Sequence, residues 1–572
     1  MQRKLRYGTA AIAQGAVESG VHLAVACPGE VASAVLAAAE RGGLCCASAP
    51  SEKAALEMAL GASIGGARVL VAVRSGGLES SAGALAAAAA AGATGLAVVL
   101  CDDPAARHAP ALDSRAAARA AMVPVLEPAD PHECRVMVGS ALELSERFET
   151  PVVVRLTARL ADSAGPVDSE PAVHTPPRGW RWRPPGEVPA GQRRAARAAA
   201  QERLAQLAGF AWDTPLNRME LRSPDIGVVT SGLLYGMVRE ALPEASVLKL
   251  GLVHPVPTGL VRAFGERVRR LFVIEEPEPF LEQELRAAAI ACEGRDRLTR
   301  AGEVTPAMLR RAFHPSAPRH RQAAAVPERP PELCPGCPHR ATFSALKRLH
   351  VTATSDQGCA ALAALPPLSA VDRSPALGAS VAVAWGLETV LGDRIAGRSV
   401  AVVGEGALLH SAAGALAHAA QRPGTVVVAD NRLPGGEGSG GEWQGPGGGV
   451  HAPGGRRVDL RSLALSLGVP RVREVDPLDL QGTIEALRAE LAAPQFSVVI
   501  ARSPCARLWT DRRARARVEP SRCNRCGACL RLGCPALSDT GETMAVDAGS
   551  CVGCGLCGQV CRPGAIEREE LR

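Results

Sequence analysis

Aromatic side chains are scarce in this sequence, with eight Phe, six Trp and two Tyr among 572 residues. A nucleic-acid binder concentrates basic residues and interleaves them with aromatics for base stacking, so the scarcity argues against that class. Lysine is scarce as well, and arginine supplies nearly all of the 64 basic residues, which almost balance 58 acidic ones. A net charge of +6 gives no strong one-signed field to steer a polyanion. The one basic run, residues 512–517 (RRARAR), is expected to be a solvated linker, with a docking edge for an acidic electron carrier as the alternative. No leucine-rich segment follows MQRKLRYG, so no secretory signal is expected. No bilayer-length run of strong hydrophobes stands out either. Residues 81–100 (SAGALAAAAAAGATGLAVVL) approach that length, but Ala and Gly supply little transfer energy, and the stretch reads as a buried helix followed by a core strand. Neither a membrane nor a nucleic acid is expected as a partner.

Cysteine, by contrast, is plentiful. Eighteen cysteines in a chain this long, without an export signal, read as reduced thiols or metal ligands and not as a disulfide framework, which makes the cytoplasm the expected compartment. The length exceeds what one hydrophobic core supports, so several domains are expected. Residues 1–170 alternate small-residue helices with short apolar strands (VHLAVACPG, RVLVAVRSGG, GLAVVLCDD, TPVVVRLT), the pattern of a parallel α/β sheet covered on both faces. Residues 171–225 read as a Pro- and Trp-bearing linker plus an Arg/Ala helix. A smaller α/β unit follows over residues 226–320, and a third over 330–506 with strands at RSVAVVGEG, GTVVVADN and FSVVIARS. Within that third unit residues 435–455 form a glycine-saturated loop, too long for a simple connector. A cysteine module, residues 515–572, closes the sequence given.

That module is the most specific part. Cys523, Cys526, Cys529 and Cys534 run C-x2-C-x2-C-x4-C, and Cys551, Cys554, Cys557 and Cys561 run C-x2-C-x2-C-x3-C. Three thiolates at such spacing wrap three corners of a cubane while the fourth reaches the other cluster. The reading is two [4Fe-4S] clusters in a ferredoxin-like α+β domain, one on Cys523, Cys526, Cys529 and Cys561, the other on Cys551, Cys554, Cys557 and Cys534. Structural zinc is the competing reading of C-x2-C pairs. One extra residue before Cys534, and Arg562 before Pro563, depart from the usual repeat and should affect loop geometry and potential more than ligation.

Upstream, Gly404, Glu405 and Gly406 follow one apolar strand, and Asp430 and Asn431 follow the next. A glycine-flanked carboxylate and an amide at this separation look like a thiamine diphosphate signature, in which both oxygens bind Mg2+. With LCPGCPHR, the GC at Gly358 and Cys359, LGAS at residues 377–380, LLHSAAGAL and VADN, this region resembles the thiamine-binding domain of 2-oxoacid:ferredoxin oxidoreductases. The likeness extends through GTAAIAQGAVESG, SEKAALEMALGASIGG, PVVVRLTAR, VVTSGLLYGMVREAL and IEEPEP, and within the superfamily it is nearest to the alpha subunits of indolepyruvate ferredoxin oxidoreductases.

The resemblance implies a multidomain α/β fold: residues 1–170 as a pyrimidine-binding-type domain, 226–320 as a transketolase C-terminal-like domain, and 330–506 as the domain that binds thiamine diphosphate and Mg2+. It implies ferredoxin-dependent oxidative decarboxylation of an aryl 2-oxoacid, indolepyruvate, to the acyl-CoA. A smaller beta subunit, ferredoxin and coenzyme A are the expected partners. Glu52 matches the carboxylate that meets the aminopyrimidine, Glu405 and Asn431 match the Mg2+ ligands, and His410 is a candidate for substrate or proton handling. Arg155 and Arg159 match strand-end positions suited to a substrate carboxylate or a subunit contact, a surface salt bridge being the alternative. Cys334, Cys337, Cys359 and Cys505 follow the order in which related enzymes hold a cluster beside the cofactor; a third [4Fe-4S] cluster or a set of reduced thiols are the two readings. Cys27, Cys45, Cys46, Cys101, Cys134 and Cys292 are expected to be small buried apolar residues. Several positions depart from the family pattern: Glu405 stands for the usual Asp, Cys27 for a Tyr, Glu30 for a Thr, residues 74–79 (RSGGLE) replace a histidine-bearing segment, and residues 432–437 (RLPGGE) replace a threonine-rich one. These changes mean either a diverged substrate or a copy that has lost part of the thiamine chemistry and serves as an electron-transfer subunit.

Overall fold

A computed structural model of the chain describes residues 3–74, 76–105, 112–179, 190–298, 302–313, 332–371, 376–432, 458–509 and 514–570. The chain divides into two compact units between residues 324 and 325. The glycine-rich loop expected over residues 435–455 lies outside the described residues, as do Ser75 and residues 512–513.

The first unit is built on a seven-stranded sheet in the order Leu252–His254, Val125–Leu126, Val152–Thr157, Leu96–Asp102, Val69–Val73, Leu23–Ala26, Cys45–Ser48. All neighbours are parallel except the Leu252–His254 edge, which pairs antiparallel. Its three central strands are buried along their whole length, because helices cover both faces and leave no side for a polar alternation. Leu56 and Ala59 of Glu52–Ile64, with Leu78 and Leu85 of Gly77–Ala91, belong to the core on one face; Ile12, Ala16, Val138 and Leu142, from Gly8–Glu18 and Pro131–Phe148, belong to the other. The apolar stretch 81–100 is thus a helix and a core strand, and no described helix is long and apolar enough to cross a membrane. A second sheet, in the order Arg270–Ile274, Ser223–Ser231, Ala245–Leu250, Arg218–Glu220, is parallel but for the last strand.

The two sheets of this unit are joined by buried charge. Arg155 Nε donates to Asp102 (2.6 Å) and its Nη1 to Glu127 (2.8 Å), while Ser231 Oγ donates to the other Glu127 oxygen (2.5 Å). Arg115, wholly buried, pairs with Asp113 (2.6 Å) and Glu275 (3.0 Å). Arg159 donates to Val304 O (2.9 Å) and Glu276 (3.1 Å). The surface salt bridge considered for Arg155 is therefore incorrect: its side chain is 3 % exposed between two carboxylates. Cys27, Cys101 and Cys134 are buried as expected, but Cys45 is exposed and Cys46 and Cys292 are half-buried; Cys45 opens the last strand in the order of the sheet, which pairs with Leu23–Ala26.

The second unit carries a five-stranded parallel sheet in the order Thr352–Ser355, Ser399–Gly404, Thr425–Asp430, Ser497–Arg502, Arg471–Val475. The cysteine module adds two antiparallel pairs, Ala514–Val518 with Ile566–Glu570 and Leu537–Asp539 with Met544–Val546. The basic run is not a linker from residue 514 onward. Ala514 and Ala516 are buried while Arg515 pairs with Glu569 across the ladder (3.1 Å), the period-two alternation of a half-buried strand.

Replacing Arg155 by Ala leaves Asp102 buried without its cation and Glu127 with only the longer Arg115 contact (3.8 Å), and is expected to destabilise the protein by about 3–5 kcal/mol, read from denaturant unfolding.

Candidate functional site

Gly404 ends one strand of the second unit's sheet and Glu405 opens the short helix after it; Asn431 follows the neighbouring strand, where Gly404 pairs with Ala429. The carboxylate and the amide thus stand at the carboxyl ends of adjacent parallel strands, where α/β sheets bind their ligands. Gly406 lies in the same short helix, and the chain then widens into a π-helical turn, Leu408–Ala412, that carries His410; such bulges concentrate at functional sites. His410 is half-buried, with Nδ1 3.0 Å from Ser411 Oγ. Ser411 in turn abuts the LGAS loop: a Cβ on Gly378, whose φ is +73°, would lie 2.0 Å from Ser411 Oγ. Only glycine fits there, for both backbone conformation and space.

Two residues of this edge were not singled out from the sequence. Asp356 follows the strand Thr352–Ser355, is buried, and accepts from Ser380 N (3.0 Å). Burial pushes its carboxyl up to about 6, against backbone donors from Ser380, Gly378 and Ala379. It organises the LGAS loop, and the available signal was a carboxylate at a strand end just before the GC pair. His339 is buried on the helix Pro338–Arg348, and burial pushes its imidazole down to about 4. A neutral ring accepts at Nε2, which lies 3.2 Å from Asn431 Nδ2 and so turns the amide oxygen away from the histidine.

The cysteines meet this edge. Cys505 N donates to Asn431 O (2.7 Å) and Ser503 N to Asp430 O (3.0 Å), which pins the segment after Ser497–Arg502 along the strand end. Cys334 and Cys337 close a tight turn (Cys337 N to Cys334 O, 3.1 Å), and both lie within electrostatic reach of Cys505. Cys359 packs on the same apolar core as Cys337. In the cysteine module, Cys534 lines a recess with Cys551, Cys554 and Cys557. Cys523, Cys526, Cys529 and Cys561 line another. Each recess thus gathers four of the eight module cysteines, Cys534 with the second run and Cys561 with the first. Backbone N–H groups already point at sulfur, from Ala516 to Cys551 Sγ (3.3 Å) and from Ala565 to Cys561 Sγ (3.2 Å), as cluster thiolates require. Thiol-only sets with backbone donors fit iron–sulfur groups, and the oxygens of Glu405 and Asn431 fit a hard cation.

Glu52 lies in the first unit. Ser51 caps its helix by accepting from Ala54 N (3.2 Å), and the Glu52 side chain is wholly buried in an ion pair with Arg74. Beside it, burial first and the Glu52 charge second raise the Cys27 thiol well above its ordinary value.

Comparison with known proteins places these features. Residues 356–501 match the family "Thiamine pyrophosphate enzyme, C-terminal TPP binding domain". Indolepyruvate oxidoreductase subunit IorA of Thermococcus kodakarensis is 31 % identical over 99 % of this chain and 97 % of its own length. The proteins of the same name from Archaeoglobus fulgidus (31 %, 98 % and 96 %) and Pyrococcus abyssi (32 %, 99 % and 97 %) match equally. Among solved structures, 2-oxoglutarate:ferredoxin oxidoreductase from Magnetococcus marinus aligns with a TM-score of 0.45 and 19 % identity, over 54 % of this chain and 64 % of that one.

Gly378→Ala is expected to cost at least about 1–2 kcal/mol from its backbone conformation alone. Ser411→Ala removes the atom that the new Cβ would strike, so the double variant should unfold at higher denaturant than the two single effects added together, a coupling that equilibrium unfolding measures.

Proposed function

The chain belongs to the indolepyruvate oxidoreductase subunit IorA family, and on that footing we propose that it oxidatively decarboxylates an aryl 2-oxoacid, indolepyruvate, to the acyl-CoA, passing the electrons through [4Fe-4S] clusters to ferredoxin. The family's chemistry is 2-oxoacid oxidoreduction on thiamine pyrophosphate. The finer reading rests chiefly on one observation: the strand end that carries Asn431 also holds the Cys505 segment by a direct backbone bond, so cofactor-type and iron-type ligands share one sheet edge. Glu405 and Asn431 would hold Mg2+ and through it the diphosphate, with His339 orienting the Asn431 amide. Glu52 would meet the aminopyrimidine. His410 would hold or move a proton at the substrate. Bound thiamine diphosphate supplies the electron sink for decarboxylation. Cys334, Cys337, Cys359 and Cys505 would hold a first cluster, and the two crossed sets of the cysteine module the next two. A smaller beta subunit, coenzyme A and an external ferredoxin complete the reaction.

A second reading has its own support. Arg74 pairs with the buried Glu52, and a carboxylate held by a guanidinium is less able to serve an aminopyrimidine. In that reading the chain carries electrons without thiamine turnover.

Calorimetric titration with thiamine diphosphate and Mg2+, followed by turnover of indolepyruvate, phenylpyruvate, pyruvate and 2-oxoglutarate with a viologen acceptor, separates these readings. Binding should weaken at least about tenfold in Asn431→Ala, and indolepyruvate should turn over fastest. No binding to the wild-type chain at millimolar cofactor would leave only the second reading. Iron analysis of the full chain should give about twelve iron atoms, three cubanes, and Cys505→Ala should lose about four; a wild-type count of about eight removes the first cluster.

A further inference from the structure

Arg340 closes the LCPGCPHR motif and is 2 % exposed, one of the largest fully buried side chains of the protein. Its guanidinium has no Asp or Glu partner in any ion pair among the described residues. Nη1 donates to Leu532 O (2.7 Å), and Nη2 to Leu333 O and Cys334 O (3.1 Å); Nε makes no hydrogen bond. Three backbone carbonyls are weak compensation for a buried cation, whose desolvation costs several kcal/mol even after relaxation. The other buried arginines among the described residues, Arg115, Arg135 and Arg155, are each paired with carboxylates.

Thiols lie near Arg340 as well. It lines the recess shared by Cys534, Cys551, Cys554 and Cys557, and it lies within electrostatic reach of both Cys554 and Cys337. The loops that carry these thiols touch. A Cβ on Gly336, between Cys334 and Cys337, would lie 2.2 Å from Val552 Cγ2, between Cys551 and Cys554. A Cβ on Gly533, next to Cys534, would lie 3.3 Å from Arg340 Nη1. A cubane on four thiolates carries net negative charge and gains more on reduction, and net charge nearby is one determinant of its potential.

Building on the cluster reading above, we propose that Arg340 is a positioning residue that supplies the counter-charge of the Cys534–Cys551–Cys554–Cys557 cluster, raises its reduction potential, and clamps the Cys334–Cys337 loop against it. This cluster is therefore the one that receives electrons from the thiamine-type domain. The set formed by Cys523, Cys526, Cys529 and Cys561, whose Cys526 is exposed, is the one that hands them out.

The test is an EPR-monitored redox titration of the full chain, wild type against Arg340→Gln and Arg340→Lys. In Arg340→Gln one cluster of the module should show a reduced-to-oxidised ratio about tenfold lower at the wild-type midpoint, equivalent to about 59 mV for one electron, with the other unmoved. Arg340→Lys keeps the charge while losing the fork, and should stay near wild type. Unmoved potentials in an iron-replete Arg340→Gln overturn the proposal, as does an equal fall in Arg340→Lys, since lost hydrogen bonds and not lost charge would then be the cause. If Arg340→Gln fails to assemble, Gly533→Asp sets a carboxylate against the guanidinium and Gly533→Asn serves as its neutral control. Only the Asp variant should lower the potential, and equal values overturn the proposal. Wild-type protein without cluster signals overturns the cluster reading itself, a result distinct from normal signals that no Arg340 variant moves.

Discussion

One backbone hydrogen bond organises the second unit: Cys505 N–H to the Asn431 carbonyl, 2.7 Å long. It is made just past the last paired residues of two adjacent strands, Asp430 and Arg502, and it extends the parallel ladder into what would otherwise be two unrelated loops. The side chain of Asn431 meets His339 (3.2 Å), and His339 sits two residues beyond Cys337. The amide and the thiols are thereby referred to the same rigid element. A sheet edge is stiffer than a loop, which is what a site needs if an electron is to leave a reacting centre at a fixed distance.

What the sequence made legible follows from where burial is complete. Strands buried on both faces read as uninterrupted apolar runs, so the ends of Ser399–Gly404 and Thr425–Asp430 could be located, and with them Glu405 and Asn431. The cysteine spacing carried the crossed grouping of eight thiols. His339 and Asp356 were not legible as site residues, because their roles come from partners far along the chain: Asn431 is 92 positions from His339 and Ser380 is 24 from Asp356. The Arg-rich run was misread for another reason. Its charge suggested solvent, while the alternation of Ala and Arg was the strand signal.

Charge is placed differently in the two units. The first buries arginines among carboxylates at the junction of its two sheets, where each cation is matched and the ensemble acts as a polar rivet. The second buries Arg340 among thiols and carbonyls. An unmatched cation of this kind is poor as a stabiliser of the bare polypeptide, so the apoprotein bears a strain that an anionic occupant of the neighbouring recess would relieve. With the proposed cluster in that recess, folding and cofactor loading would be coupled in this part of the chain in a way the matched arginines of the first unit do not require.

The crossed grouping of the cysteines has a consequence for assembly. Each run of three lends its fourth thiol to the other, Cys534 to one recess and Cys561 to the other. The module's outer strands, Ala514–Val518 and Ile566–Glu570, pair with each other and close it like a clasp. A chain broken anywhere between residues 534 and 551 could complete neither set, and damage that strips one set removes a tether from the other. If the two recesses hold clusters as proposed, neither can fill without a thiol from the other run, and a population caught midway in loading should consist of empty and fully loaded molecules.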